Sequence, residues 1–178
     1  TGDAGFFLDP FYSPGSDFIS IANTFICDLI AKDLSDGRFE SHARLYNDLF
    51  INLIDNSFQV FQDQHQLFGD PVVMPVKVIW DYSVYWAYLA LAFIQGQLCN
   101  LSTLVKVRGS LQKVSDLNKE MQKFFITWHN AGPHHARKMF VDLEKIDSVY
   151  RLNVQVRDKL SDDEFVRRLQ DNTEFVSA

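Results

Sequence analysis

From Phe18 onward the apolar positions recur at helical spacing. Phe18, Ile21, Ala22, Phe25, Ile26, Leu29 and Ile30 lie three, four, seven and eight apart, which puts them on one helical face. Ser16 or Asp17 is placed to cap this helix, because a side-chain oxygen there accepts an otherwise orphaned N–H. Ser35-Asp36-Gly37 stops it. A second helix is predicted from about Ser41 to Phe68, with Phe50, Ile54, Phe58 and Phe61 in one stripe. Gly69-Asp70-Pro71 ends it, since proline cannot donate the next helical bond and also restricts Asp70. The third, from about Pro75 to Cys99, is apolar nearly all round and is expected to be the most buried. A fourth runs from about Leu101 to Trp128 on Leu104, Val107, Leu111, Val114, Leu117, Met121, Phe125 and Trp128, with Gly109 as its weak point. His129-Asn130-Ala131-Gly132-Pro133 breaks the pattern.

Later segments are mixed. Residues 136–151 read as helical, whereas Leu152, Val154 and Val156 alternate as a brief strand would. Ser161-Asp162-Asp163-Glu164 has capping-box spacing and predicts a last short helix from about Asp162. Residues 1–16, rich in Gly and Pro, hold no helical period, and Phe6-Phe7-Leu8 suits a short strand or an extended buried stretch. The expected fold is therefore mainly α, a helical-bundle-like chain with a short N-terminal strand-turn.

Composition narrows the function. A length of 178 residues with 47% hydrophobic positions is enough for one ordinary core and argues against wholesale disorder. The net charge of -6 argues against a protein that tracks nucleic-acid phosphates. The most apolar run, Val84 to Ile94, is too short for a membrane span, which takes about 20 residues. Thr1-Gly2-Asp3-Ala4 has no signal-peptide character. Two cysteines, Cys27 and Cys99, suit neither a disulfide framework nor a four-thiolate metal site. They are expected to be buried and apolar-like in a reducing, cytoplasmic setting. The unusual figure is 16 Phe, which suits either a well-filled core or a chain that packs against something larger.

The opening segment holds the densest candidate chemistry. Gly2-Asp3-Ala4 and Asp9-Pro10 are followed by Ser13-Pro14-Gly15-Ser16-Asp17, which runs straight into a helix. A carboxylate at Asp3 can accept hydrogen bonds from ligand hydroxyls, and Gly15 lets backbone approach closely. The helix that follows aims free N–H groups and its positive dipole end at whatever lies before it. The alternative is an ordinary Gly/Pro loop leading into a capped helix.

These residues resemble the second flavin-contacting motif of FAD-dependent monooxygenases and, within them, are most similar to the flavin-dependent halogenases, the tryptophan-halogenase-like proteins. The resemblance is densest over residues 1–34. It implies an α/β parent enzyme in which residues 1–34 end the FAD-binding domain and 35–178 form a helical C-terminal region. By the resemblance, Asp3 would hold the ribityl hydroxyls of FAD and Pro10 would shape the turn beside the flavin ring. Gly15 and Ser16 would present backbone N–H groups at the ring edge where charge gathers on reduction, aided by the helix dipole. Halogenases bind chloride with adjacent backbone N–H groups from a Thr or Ser and the following Gly. Pro14 stands before Gly15 here and has no N–H. A lost charge-assisted hydrogen bond is worth roughly 1.5–3 kcal/mol, so a halide site needs a replacement donor. The dinucleotide fingerprint, the catalytic lysine and the Trp-x-Trp-x-Ile-Pro signature of the family do not occur in the chain. They would belong to an upstream FAD-binding half.

Other candidates read as structure. His129, His134 and His135 with Asp142 match no recognised ligand spacing, so a polar loop is the preferred reading and no metal site is expected. Asp81, between Trp80 and Tyr82 in an apolar helix, must find a partner such as a tyrosine or reach an exposed face. Trp80, Tyr82, Tyr85, Trp86 and Tyr88 suit a core as well as an aromatic pocket. The combined expectation is a fragment of an FAD-dependent, halogenase-like or monooxygenase-like enzyme acting through reduced flavin and oxygen. Its substrate would be an aromatic or carrier-tethered small molecule. The chain alone would be inactive, hold FAD poorly, and tend to self-associate. A non-catalytic helical interaction module is the alternative.

Overall fold

A computed structural model of the chain describes residues 5–37, 39–135 and 141–178. The chain divides into two compact units, Thr1–Phe61 and Gln62–Ala178. Among the described residues there is no strand, and the fold is mainly α. The short strand expected at residues 6–8 is irregular chain, with Leu8 buried and Phe7 exposed. With no second strand beside it, an isolated extended segment has no ladder to join.

The first unit is built on α1 (Pro14–Asp36) and α2 (Glu40–Phe58). α1 starts earlier than the cap residues predicted: Ser13 is its N-cap, and neither Ser16 nor Asp17 is. Pro14 decides this, because its fixed φ and missing N–H suit the first helical position. Leu8, Phe18, Ile54 and Phe61 form the core of this unit, with Phe11, Tyr12 and Phe50 against it. The 34/35 boundary suggested by the resemblance falls inside α1. The predicted face of that helix is half right. Ile21 and Phe25 are buried, whereas Ile26 and Ile30 are exposed. Cys27 is exposed too, contrary to expectation.

Farther along, the Phe25 and Tyr46 rings stack with centroids 4.7 Å apart. The Tyr46 hydroxyl donates to Asp28, which also pairs with Lys32 at 2.8 Å. Burial alone would raise the Asp28 carboxyl, but the bonds from Lys32 and Tyr46 outweigh it and hold the group below its ordinary value. A depressed carboxyl stabilises the fold above its unfolded pKa of about 3.9, and this is lost as pH falls through the lower folded value. Asp28→Asn is therefore expected to cost about 1 kcal/mol at neutral pH. Urea unfolding of both proteins as a function of pH checks this: the difference should shrink below about pH 4.

The second unit opens on turns rather than on the continuation of α2 to Phe68. The helix ends at Phe58, Asp63 takes a left-handed φ of 60°, and a single 3₁₀ turn covers His65–Leu67. Gln64, Leu67 and Asp70 are buried at the three-residue spacing of such turns. α3 (Val73–Tyr85) passes through a π-turn, Trp86–Ala90, into the short α4 (Leu91–Ile94), and Gly96 at φ 67° closes the run. The π-turn leaves the Ala87 carbonyl to the Asn172 side chain, which donates to it at 2.9 Å.

α5 (Leu101–Asn130) starts at Asn100, whose side chain accepts the Thr103 N–H. Its buried stripe is Thr103, Val107, Val114, Asn118, Gln122 and Phe125, so of the predicted face only Val107, Val114 and Phe125 are fully buried, and three polar residues complete the stripe. α6 (Asp147–Gln155) covers the segment whose alternation suggested a strand. Val149, Leu152 and Val156 are buried at helical spacing, while Val154 is exposed. The Ser161/Glu164 capping box forms as predicted and opens α7 (Asp162–Ser177). α7 and α3 pack along α5, and Phe165 and Leu169 are fully covered. No helix among the described residues is long and apolar enough to cross a membrane.

Candidate functional site

The predicted flavin-contacting residues are on the first unit. Asp3 lies outside the described residues. Pro10 lies in a turn: its carbonyl accepts the Ser13 N–H at 2.8 Å, after Asp9 Oδ1 has accepted the Phe11 N–H at 2.9 Å. Tyr12 and Ser13 then take left-handed backbone at φ 69° and 55°, which turns the chain into α1. Pro14, Gly15 and Ser16 are the first three residues of that helix. Ser13 makes no side-chain cap, and the Ser16 hydroxyl donates back to the Ser13 carbonyl at 3.1 Å. The sequence thus places Pro10, Pro14, Gly15 and Ser16 around one helix N-terminus, with Leu8, Phe11 and Tyr12 anchoring the loop in the local core.

The second unit holds a site that the histidine spacing did not show. His129, in the last turn of α5, and His134, in the loop after it, both place Nδ1 at 2.8 Å from Asp70 Oδ2. The other Asp70 oxygen accepts the N–H groups of Val72 and Val73, each at 2.9 Å, at the start of α3. Burial would raise this carboxyl, but the N–H of Val73, His129, the N–H of Val72 and His134 together hold it far below the usual carboxylate range. An ionised carboxylate only accepts, so both imidazoles carry hydrogen on Nδ1. Asp142 is not in this group. It accepts the Glu144 N–H at 3.2 Å and pairs with Lys145. His135 is exposed. In the sequence Asp70 stands out only as the residue before a proline, and nothing local marks a contact 59 and 64 residues away.

One turn farther along α3 is a buried polar network. Lys77 Nζ donates to Asp81 at 2.6 Å and to Gln122 at 2.9 Å. Gln122 in turn donates to Asp81 at 2.8 Å and to Asn118 at 3.1 Å, and the Trp80 indole N–H reaches Asn118 at 2.8 Å. Burial pushes the Lys77 ammonium below its ordinary value against the pull of Asp81. Asp81 is thus held by a lysine and a glutamine of the interior rather than placed on an exposed face. Trp80 packs against the Leu67, Val73 and Phe125 cluster, so this aromatic belongs to the core. No protein-family model, curated protein or solved structure matches the chain.

Proposed function

We propose that the chain is the C-terminal portion of an FAD-dependent oxidoreductase similar to the flavin-dependent halogenases. The observation that supports this reading is that the motif residues Pro14, Gly15 and Ser16 form the first turn of a 23-residue helix with no side-chain cap from Ser13. The first turn of a helix has N–H groups without intrahelical partners and the positive end of the dipole. That donor set fits the electron-rich edge of a flavin. Gly15 and Ser16 would hold that edge through their backbone, and Pro10 would set the turn that leads to it. Asp3 would bind the ribityl hydroxyls. Bound flavin would supply a reduced ring able to react with oxygen, and an aromatic or carrier-tethered substrate would be the acceptor. Pro14 at the first helical position withholds one of the two backbone donors of the family's halide site, which favours hydroxylation unless another donor serves.

The second reading is a non-catalytic helical interaction module. The exposed Ile19, Ile26, Ile30 and Leu34 of α1 favour it, since an apolar stripe of this kind suits a partner surface. FAD titration of a longer protein that includes the upstream half separates the two. Tight binding is expected, weakened roughly 10–100-fold by Asp3→Ala, as for a lost hydrogen bond to a charged group. The 178-residue chain alone should hold little flavin. Absence of flavin binding by the longer protein sinks the enzyme reading. Turnover with and without bromide then assigns the product: only hydroxylated product at every halide concentration removes the halogenase label.

A further inference from the structure

We propose that Asp70, His129 and His134 form a binding site for one divalent transition-metal ion, with Zn²⁺ as the expected occupant. Each of the three brings a ligand atom to within 4.8 Å of the other two. Two imidazoles and one carboxylate form the three-protein-ligand set that zinc takes when a fourth position is left to solvent or substrate. Nδ1 of His129, Nδ1 of His134 and Oδ2 of Asp70 are the atoms that meet.

The site is built rather than incidental. The Asp70 side chain is 3% exposed, so its charge is held inside the protein and must be matched there. Its second oxygen is fixed by the Val72 and Val73 N–H groups, which orients Oδ2 toward the histidines. Such hydrogen bonding of a ligating carboxylate is the usual support for a metal ligand. His129 is held by α5, whereas His134 follows Gly132, whose φ of 149° lets the chain turn back toward Asp70. The His129 and His134 side chains are 30% and 17% exposed, which leaves an entry path and an open coordination position.

Bonds of about 2.0–2.2 Å to a tetrahedral ion separate its ligand atoms by about 3.3 Å. The two 2.8 Å contacts to Asp70 would therefore open by about half an ångström. A ligating imidazole binds through an unprotonated nitrogen, so the hydrogen on each Nδ1 moves to Nε2 or to solvent when the ion takes that position. Trp128 lies edge-on to His134 with ring centroids 6.0 Å apart and reports on the site.

The test is a titration of the chelator-stripped 178-residue chain with Zn²⁺ by calorimetry, and with Co²⁺ by absorbance and tryptophan fluorescence. One ion per chain, micromolar affinity or better, a tetrahedral Co²⁺ spectrum and quenching of Trp128 are expected. Saturating Zn²⁺ should raise Tm by on the order of 5 °C. His129→Ala and His134→Ala should each weaken binding at least 10-fold, and His135→Ala, an exposed neighbour, should leave it unchanged. Asp70→Asn retains an acceptor for the Val72 and Val73 N–H groups, so it should fold with unchanged circular dichroism yet lose the ion. Absence of stoichiometric binding overturns the proposal. So does binding that survives Asp70→Asn in a folded protein, or that depends on His135 instead of His134.

Discussion

Lys77→Met should destabilise the second unit by about 3–5 kcal/mol in urea unfolding, the largest single effect expected from a charge in this protein. Lys77 is 1% exposed and its ammonium is one of the groups that neutralise Asp81 in the interior. Methionine fills nearly the same space, so the loss comes from the carboxylate left behind rather than from a cavity. The network makes this test sharper. In Lys77→Met/Asp81→Leu the stranded charge is gone, and the Gln122 amide loses Lys77 and Asp81 while keeping Asn118, a cost of about 1–3 kcal/mol. The double variant should therefore be more stable than the single one, by about 2 kcal/mol. A Lys77→Met protein as stable as wild type would show that Lys77 does not neutralise Asp81.

Phe125→Ala is expected to cost a similar 3–5 kcal/mol for the opposite reason, lost apolar packing. Phe125 is 0% exposed and meets Leu67 and Val73, with Met121 and Trp128 beside it. These residues come from the turn before Asp70, the first turn of α3 and the end of α5, so one ring ties together the elements that bring Asp70 to His129 and His134. Removing the ring leaves a cavity that close-packed neighbours fill only in part. Phe125→Leu, which retains most of the volume, should cost less than half as much. Urea unfolding of the three proteins checks the order. Equal losses for Leu and Ala would mean that ring shape, not buried volume, sets the cost.

The helices differ in how well their sequences show them. α7 is written locally: the Ser161/Glu164 box meets its own backbone three residues away, so spacing alone predicts it. The apolar recurrence from Leu104 to Trp128 predicts α5 almost to its ends, because so long a pattern outweighs one Gly109. Its buried face differs from the apolar pattern, since Asn118 and Gln122 are polar and become interior because Lys77, Asp81 and Trp80 satisfy them across α3. Leu152 to Val156 shows the reverse error. Over five residues an alternating pattern also fits a helix, and the buried Val149 one turn earlier settles it.

The two candidate sites divide in the same way. Pro10, Pro14, Gly15 and Ser16 are neighbours in the chain, so their nearness to a helix start is legible in the sequence. The start itself lies at Pro14 rather than after Ser16 or Asp17, because proline's fixed φ suits the first helical position. The Asp70, His129 and His134 cluster is not legible in the sequence. Its members are separated by 59 and 64 residues, and no periodicity encodes which carboxylate a distant histidine will meet. Burial of Leu67, Val73 and Phe125 draws those segments together, and the unmatched charge of Asp70 then selects the two imidazoles within reach. Local stereochemistry set the helices and the opening loop. Packing of distant apolar residues, and the need to satisfy what they buried, made the second site.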